Sequence, residues 1–289
     1  MSDTEKNKIL PSTLYLVATP IGNLDDMTFR AVKTLTECDF IAAEDTRVTA
    51  KLLNAYDIKK SCVTYEEHTK RAAGEMIVSR LKNGESCALV TDAGTPAISD
   101  PGEDLVRLCA ENGINVVAVP GACAAVNALA ISGLSTRRFV FEGFLEGRDG
   151  AKKERLNTLA GEDRSIIFYE APHRLTDTLK MMSEAFGDER KVAVCRELTK
   201  RNEEILRFTL GDAVAHFTKT EPKGEFVLVV DGRKENTDAF WLETSVPEHV
   251  LYYVEKMGLD KMSAVKAAAK DRGLPKNAVY KEFLNYENK

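Results

Sequence analysis

The sequence lacks any long apolar run. No stretch of its 289 residues approaches the roughly 18 to 20 consecutive apolar residues that a helix needs to cross a bilayer. The first ten residues, MSDTEKNKIL, are polar and mixed in charge, unlike a secretory signal. We therefore expect a protein that has no membrane-spanning segment and stays in the cytoplasm.

Cysteine and histidine are scarce and scattered. The chain has six cysteines, and no two of them form the Cys-x-x-Cys pair typical of zinc and redox sites, so we interpret them as reduced, mostly buried thiols. The four histidines form no cluster with ligand spacing: His68, His173, His216 and His249. The sequence therefore predicts no metal site.

Two common nucleotide-binding patterns are absent as well. The chain contains neither the Gly-x-x-x-x-Gly-Lys-Ser/Thr loop that cradles phosphates nor the Gly-x-Gly-x-x-Gly spacing of dinucleotide folds. An excess of positive charge is also missing, because the formal net charge is -5 at pH 7. Nucleotide phosphate chemistry is disfavoured, and any contact with a nucleic acid must use local basic patches.

What the sequence does contain is a regular alternation of short apolar runs and amphipathic stretches, which is typical of an α/β fold. In the first half, five runs predict strands: Leu14 to Ala18, Phe40 to Ala43, Ser61 to Tyr65, Cys87 to Thr91 and Asn115 to Val119. Stretches with helical spacing, such as Thr28 to Glu37 and Ala72 to Asn83, separate them. This rhythm favours a largely parallel sheet.

In the second half, five more runs with fewer helices between them predict a mixed sheet: Phe139 to Phe144, Ser165 to Tyr169, Val192 to Arg196, Ile205 to Thr209 and Glu225 to Val230. A polar linker, Asp231 to Asp238, follows. In the tail, two helices, Lys261 to Lys270 and Lys276 to Leu284, flank a turn at Asp271 to Pro275. This arrangement predicts a helix-turn-helix.

Ligands in open α/β sheets bind beyond the carboxyl ends of the strands, so the loops there carry the functional information. Four loops stand out by composition: Ala18 to Asp26, Ala43 to Arg47, Thr91 to Gly102 and Val119 to Ala125. In the third, small residues allow a ligand to approach the backbone, and Asp92 and Asp100 can accept hydrogen bonds from ribose hydroxyls or an amino group. Helix capping, exposed charge and helix packing explain the same residues without a ligand.

Six motifs occur in order along the chain: Thr19-Pro-Ile-Gly-Asn-Leu-Asp-Asp26, Ala43-Glu-Asp-Thr-Arg47, Thr91 through Gly102, Phe168-Tyr-Glu-Ala-Pro-His-Arg174, Arg196-Glu-Leu-Thr-Lys200 and Lys223-Gly-Glu-Phe226. Together they resemble the tetrapyrrole methylase superfamily, and most closely its branch of small-subunit ribosomal RNA 2'-O-ribose methyltransferases. The resemblance implies an α/β, two-domain tetrapyrrole methylase-like fold with a cleft between lobes at 12–122 and 123–234. It also implies a small C-terminal helical, helix-turn-helix-like domain at 240–289.

The same resemblance implies S-adenosyl-L-methionine as cofactor and the 2'-hydroxyl of a cytidine ribose, in the decoding region of small-subunit (16S) ribosomal RNA, as acceptor. The implied cofactor contacts are Pro20, Asp92, Ala93, Gly94, Thr95, Ile98, Ala122, Cys123, Tyr169, Glu170, Ala171, Lys223, Gly224, Glu225 and Phe226. The chain departs from the family pattern at Ala122 and Cys123, where Pro-Ser is usual, and at Ala171, where Ser is usual. These changes weaken individual side-chain hydrogen bonds and spare backbone contacts.

A ribose hydroxyl is a poor nucleophile at neutral pH, so methylating it requires alignment and removal of a proton. Glu170, His173 and Arg174 lie in one short loop and offer a carboxylate or imidazole for the proton and a guanidinium for an RNA phosphate. Glu44, Asp45 and Arg47 offer the same groups from the facing lobe, and Glu197 with Lys200 offers a third position. Helix capping explains the first loop equally, and alignment without a strong base stays open.

Basic residues beside the presumed cleft and in the tail are the candidates for RNA contact: Arg47, Arg138, Arg148, Lys152, Lys153, Lys200, Lys276 and Lys281. From Glu255 onward the tail has eight Lys and Arg against five Asp and Glu. Solvated surface charge is the alternative for these residues.

The implied partners are small-subunit ribosomal RNA or the assembled 30S subunit, and a second copy of the chain in a homodimer. Two other functions stay open: a methyltransferase for a porphyrinoid or diphthamide-type substrate, and a non-catalytic RNA-binding assembly protein.

Overall fold

The computed structural model describes residues 7–66, 68–233 and 240–287. The chain divides into two compact units, Met1–Arg233 and Lys234–Lys289. Most of the predicted linker at 231–238, and residues 288 and 289 of the predicted helical domain, lie outside the described residues.

The first sheet contains every strand predicted in the first half, within one residue at each end. Its strands are β1 (Thr13–Val17), β2 (Phe40–Ala43), β3 (Cys62–Thr64), β4 (Ser86–Val90) and β5 (Asn115–Val119). They lie in the order β3-β2-β4-β1-β5, and all neighbours are parallel, which confirms the prediction. The connecting helices are α1 (Phe29–Glu37), α2 (Thr46–Ala55), α3 (Lys70–Lys82) and α4 (Glu103–Glu111), with a short 3-10 turn at Leu24–Asp26.

Helices cover both faces of this sheet, which is why its strands read as continuous apolar runs. On one face Leu14 and Leu89 pack with Leu81 and Leu105 of α3 and α4. On the other face the strands pack against α1 and α2. Side chains at the first residues fix where α1 and α2 begin, since the Thr28 hydroxyl accepts from Ala31 N and the Asp45 carboxylate accepts from Arg47 N.

The direction of the strand order reverses between β1 and β4. The chain leaves β1 toward β2 on one side of the sheet, whereas it leaves β4 toward β5 on the other side. At such a switch point the two connections diverge and open a crevice beyond the strand ends, where ligands of open α/β sheets bind. The loops that follow β1 and β4 are those that the sequence marked as informative.

The second sheet is mixed, as predicted. Its strands are β6 (Phe139–Phe144), β7 (Ser165–Glu170), β8 (Lys191–Arg196), β9 (Glu204–Thr209) and β10 (Phe226–Val230). Their order is β6-β7-β10-β8-β9, with β6 and β7 parallel and the other neighbours antiparallel. The helices of this half are α5 (Ala124–Ile131), α6 (Asp149–Leu159), α7 (Pro172–Phe186) and α8 (Leu210–Lys219).

One apolar core joins the loop after β1 to the second sheet. Ile21 of that loop packs in the same cluster as Leu129 of α5 and as Ile167 and Val227 of β7 and β10. The carboxyl edge of the first sheet therefore faces the second sheet within one compact unit.

In the described part of the second unit, helices joined by short turns are the secondary structure. It contains α9 (Val246–Glu255), α10 (Lys261–Asp271) and α11 (Lys276–Glu287), preceded by a 3-10 turn at Phe240–Leu242. Val250, Val265 and Phe283, one from each helix, form its core. The two predicted tail helices are present. Across the described part of the whole chain, no helix is both long and apolar enough to cross a membrane.

Candidate functional site

A cavity of 360 Å³ opens where the loops of the first sheet meet the second sheet. Ten of the residues predicted to contact the cofactor line it: Ala93, Gly94, Thr95, Ile98, Cys123, Tyr169, Glu170, Ala171, Glu225 and Phe226. Further lining residues are Ile21, Ser99, Asp100, Phe144, Pro172 and Leu198, with others of α5, β8 and β10. The size lies within the range of small-ligand sites, and most of the wall is apolar.

The remaining predicted cofactor residues lie around this cavity. The Ala122 carbonyl accepts a hydrogen bond from Thr95 Oγ1 at 3.0 Å, which ties the loop after β4 to the turn before α5. Pro20 and Asp92 line a neighbouring cavity instead. Lys223 is exposed and pairs with Glu221 at 3.1 Å. Gly224 has φ +96, and a side chain there would overlap Glu197.

A short antiparallel bridge between Thr19 and Gly94 crosses the switch point. Thr19 N donates to the Gly94 carbonyl at 2.8 Å, and Gly94 N donates back to the Thr19 carbonyl at 3.1 Å. Gly94 has φ +87, a conformation that glycine adopts without steric cost. The bridge fixes the two loops to each other and gives the cavity a backbone wall.

Tyr169 forms part of the opposite wall. Its hydroxyl accepts a hydrogen bond from Ala125 N at 3.2 Å, and Phe141 and Phe144 contact its ring edge-on. Burial raises the pKa of Tyr169 to about 12. The phenol therefore stays protonated at neutral pH and can donate its own hydrogen toward the cavity.

Asp100 is the half-buried carboxylate of the cavity wall, in the motif that the sequence marked as a hydrogen-bond acceptor. Burial, followed by the negative charge of Glu44, raises the pKa of Asp100 to about 6. Burial and Glu44 also raise the pKa of the neighbouring Asp92. Three carboxylates are thus close enough to repel one another electrostatically, and the site favours a cation or a proton.

Glu44, a predicted catalytic residue, contacts this part of the site through the Thr91 hydroxyl. Thr91 Oγ1 donates to Glu44 Oε2 at 2.6 Å, and Asp92 N lies 3.4 Å from the same oxygen. Asp45 caps the start of α2, and Arg47 binds its carboxylate with two nitrogens at 3.0 and 2.7 Å. The side chain of Arg47 remains 87% exposed, on the first turn of α2.

Glu170 is the most enclosed of the predicted catalytic residues, with 1% of its side chain exposed. Its carboxylate accepts from Thr178 Oγ1 at 2.6 Å and from Ala171 N at 2.8 Å, and it pairs with Arg174 Nε at 2.8 Å. Both oxygens therefore have partners from the start of α7. His173 lies exposed on the same turn.

A lysine crosses from the second sheet to the loop after β1. Lys200 Nζ pairs with Glu197 Oε1 at 3.0 Å and with Glu225 Oε2 at 2.8 Å, so its charge is locally balanced. Its side chain passes over Gly22, where an added Cβ would overlap the Lys200 Cγ. This contact holds the two loops together beside the cavity.

The other predicted RNA-binding residues lie just before β6, at the start of α6 and within it, and on α11. Arg138 pairs with Asp163 at 2.7 Å and Lys153 with Glu184 at 2.8 Å. Arg148 is exposed, whereas Lys152 is only 8% exposed, which is unfavourable for a contact with RNA. Lys276 and Lys281 are exposed on α11. Among the described residues, no group of three or more His, Cys, Asp or Glu has a metal-binding arrangement.

Comparison with known proteins connects this geometry to a family. The family model of the Tetrapyrrole (Corrin/Porphyrin) Methylases matches residues 13–214, which include the first sheet and strands β6 to β9 of the second. The chain is 48% identical over 271 residues to the ribosomal RNA small subunit methyltransferase I of Halalkalibacterium halodurans, covering 93% of each chain. It is 46% identical to the protein of the same name from Bacillus subtilis, again covering 93% of each.

Solved structures share the fold. The cobalt precorrin-4 methyltransferase superposes with a TM-score of 0.55 at 22% identity, covering 75% of this chain and 94% of that one. The uroporphyrin-III C-methyl transferase from Thermus thermophilus, complexed with S-adenyl homocysteine, gives a TM-score of 0.54 at 17% identity and covers 76% and 97%. These similarities confirm the α/β tetrapyrrole methylase-like fold that the sequence motifs predicted.

Proposed function

Because this chain belongs to the tetrapyrrole methylase family and, within it, to the ribosomal RNA small subunit methyltransferase I group, we propose the following reaction. It transfers a methyl group from S-adenosyl-L-methionine to the 2'-hydroxyl of a cytidine ribose in the decoding region of 16S ribosomal RNA. The observation that carries the proposal is the near full-length identity to relatives of that name, together with a cavity lined by the predicted motifs.

The residues present fit this cofactor. The apolar side chains of Ile21, Ile98 and Leu198 offer a surface for an adenine ring, and Gly94 leaves the backbone accessible to a ligand. Glu225 supplies a carboxylate for hydroxyls and for positive charge. S-adenosylmethionine brings a methyl group that is already activated by its sulfonium, so the chain has to supply alignment and a path for one proton.

Asp100 is the group that we assign to the proton of the ribose hydroxyl. It faces the cavity, and a pKa of about 6 keeps it mostly ionised at pH 7 while leaving it a competent proton acceptor. Thr91, whose hydroxyl donates to Glu44, lies within hydrogen-bonding reach of Asp100, so these three side chains offer a path for the proton. Glu44 thereby retains a catalytic role in this proposal.

Glu170, His173 and Arg174 take supporting roles. Glu170 has both oxygens engaged, so it holds the first turn of α7 and orients Arg174 rather than receiving the proton. The guanidinium, one-third exposed, and the exposed His173 are then available to RNA phosphates at the mouth of the cavity. Single-turnover methylation by three variants separates these roles: Asp100→Asn should remove the pH dependence that Asp100 confers, Glu44→Gln should shift it to lower pH, and Glu170→Gln should leave it unchanged.

The acceptor is proposed to be small-subunit ribosomal RNA or the assembled 30S subunit, bound in the cytoplasm by a homodimer. The exposed Arg47, Arg148, Lys276 and Lys281 supply charge for phosphate contacts in an otherwise acidic chain. Sedimentation equilibrium measures the oligomeric state directly.

Mapping of 2'-O-methyl groups on ribosomal RNA from cells that lack the protein is the decisive experiment. We expect one site in the decoding region to lose its methyl group, and purified protein with labelled cofactor to restore it on naked RNA or on 30S subunits. An unchanged methylation map would refute the proposal. Calorimetry with S-adenosylmethionine excludes a non-catalytic RNA-binding protein if the cofactor binds, and supports one if it does not.

A further inference from the structure

A second cavity of 300 Å³ lies beside the cofactor cavity, on the side of α2. It is lined by Thr19, Pro20, Gly22 and Leu24 from the loop after β1, by Val48, Thr49, Lys51, Leu52 and Ala55 of α2, and by Thr91 and Asp92 after β4. The proposed cofactor site does not use this space.

The two cavities share one wall, and that wall is the bridge between Thr19 and Gly94. Along the first loop, Pro20 lines the second cavity and the next residue, Ile21, lines the first. Along the loop after β4, Asp92 lines the second cavity and the next residue, Ala93, lines the first. A molecule in the second cavity therefore lies on the opposite side of a single backbone layer from the cofactor.

The lining combines apolar surface with a polar edge. Leu24 and Val48, which are 50% and 37% exposed, place accessible apolar surface on this lining. At the edge, the Asp92 carboxylate accepts from Asp45 N at 3.2 Å through Oδ1 and retains acceptor capacity on its other lone pairs. A flat heteroaromatic ring with an exocyclic amino group matches this combination, because carboxylates accept hydrogen bonds from the amino group of cytosine.

We propose that this cavity receives the nucleobase of the acceptor nucleotide, turned out of the RNA, so that its ribose lies at the edge of the shared wall. Enzymes that modify nucleotides commonly hold an extruded base between apolar side chains and read its hydrogen-bonding edge. Arg47, 87% exposed on the first turn of α2 next to Val48, is placed to contact a flanking phosphate. The inference rests on the proposed function and adds the site that selects the acceptor.

The test combines two changes, made separately and together: a substitution in the protein that fills the cavity, and removal of the nucleobase from the acceptor nucleotide of the RNA. Ala55 is exposed and lines the cavity at the end of α2, so Ala55→Trp adds an indole there without replacing a core residue. Asn54→Trp is the matched control, because Asn54 is exposed on the same helix and does not line the cavity. Each variant is assayed on RNA with the mapped acceptor nucleotide and on the same RNA with an abasic ribose at that position.

For the wild-type chain and for Asn54→Trp, removal of the base should lower the single-turnover rate at subsaturating RNA about 10- to 100-fold. On natural RNA, Ala55→Trp should have a single-turnover rate that is lower than the wild-type rate by a similar factor. On abasic RNA its rate should be close to that of the wild-type chain, since the substitution and the loss of the base remove the same interaction. The dissociation constant for S-adenosylmethionine, measured by calorimetry, should stay within about twofold, and this result also shows that the variant is folded.

Two results for Ala55→Trp would overturn the inference. One is an unchanged rate on natural RNA. The other is that Ala55→Trp and removal of the base reduce the rate independently, so that their two factors multiply. Leu52→Ala removes part of the apolar wall instead of filling the cavity. It should lower the methylation rate of natural RNA and leave the rate of abasic RNA unchanged. If Leu52→Ala lowers the methylation rate of both RNAs equally, the cavity contacts the RNA backbone, and the assignment to the base is also rejected. A wild-type chain that methylates no RNA would instead refute the proposed function, before any variant is compared.

Discussion

Replacing Asp100 by asparagine should make the protein more stable at neutral pH while it impairs methylation. Burial and the charge of Glu44 raise the pKa of Asp100 from 3.8 to about 6. The ionised form of Asp100 is therefore less stable in the folded protein than in the unfolded chain. The penalty is absent below about pH 4, where the group is protonated in both states. It develops between pH 4 and 6 and is complete above pH 6.

The size of the effect follows from the same pKa. A rise from 3.8 to about 6 corresponds to about 3 kcal/mol, and solvent screening at this partly exposed side chain reduces it to about 1–2 kcal/mol. Asparagine carries no charge at any pH, so its gain in stability should appear at pH 8 and be small at pH 4. Costs that come from the altered shape of the side chain are independent of pH and cancel in the difference.

The assay is urea unfolding of wild-type protein and of Asp100→Asn at pH 4 and pH 8. Asp104→Asn is the control of opposite sign, because a hydrogen bond from Lys70 lowers the pKa of Asp104. That variant should lose stability at both pH values, because its lowered pKa keeps Asp104 ionised in the folded protein at pH 4 as well as at pH 8. The reasoning is refuted if Asp100→Asn changes the free energy of unfolding equally at both pH values.

Three further predictions concern the supports of the site. Glu170→Gln should lower the free energy of unfolding, measured in urea, by about 1–3 kcal/mol, because it leaves the partly buried Arg174 guanidinium without its counter-charge. The control Asp177→Asn, at an exposed ion pair, should change the free energy little, and equal effects would contradict the supporting role of Glu170. Gly22→Ala should destabilise the protein by about 1–3 kcal/mol, because Gly22 has φ +154 and an added Cβ would overlap the Lys200 side chain; in a Lys200→Ala background the same change should cost less, and an equal cost in both backgrounds would reject the overlap. Deletion from Glu243 onward should weaken RNA binding in a filter assay and leave cofactor affinity unchanged in calorimetry, so undiminished RNA affinity would remove the tail from the RNA surface.

Strand positions and the location of the site were predictable because they depend on local patterns. Apolar runs such as Phe40 to Ala43 can be buried on both faces only in a sheet covered by helices, and turn residues must follow where such strands end. Parallel strands place all those turns at one edge. The loop Thr91 to Gly102 is therefore found beside the cavity, as its composition indicated.

Side-chain partners were not predictable from the same patterns. The motif that contains Glu170 does not reveal that Thr178, two helical turns later, donates to it. The sequence likewise does not show that Lys152 points inward from α6 while Lys153 points outward, because that helix has a weak apolar stripe. The second cavity was missed because its lining comes from three separate segments whose apolar residues look like ordinary packing residues.

The bridge between Thr19 and Gly94 has a thermodynamic consequence. It consists of two backbone hydrogen bonds, and each of its faces borders one of the two cavities. A ligand on either side that orders this pair of loops lowers the entropy cost of binding on the other side. The cofactor and the RNA should then strengthen each other's binding by one and the same factor, since linkage between two sites is reciprocal.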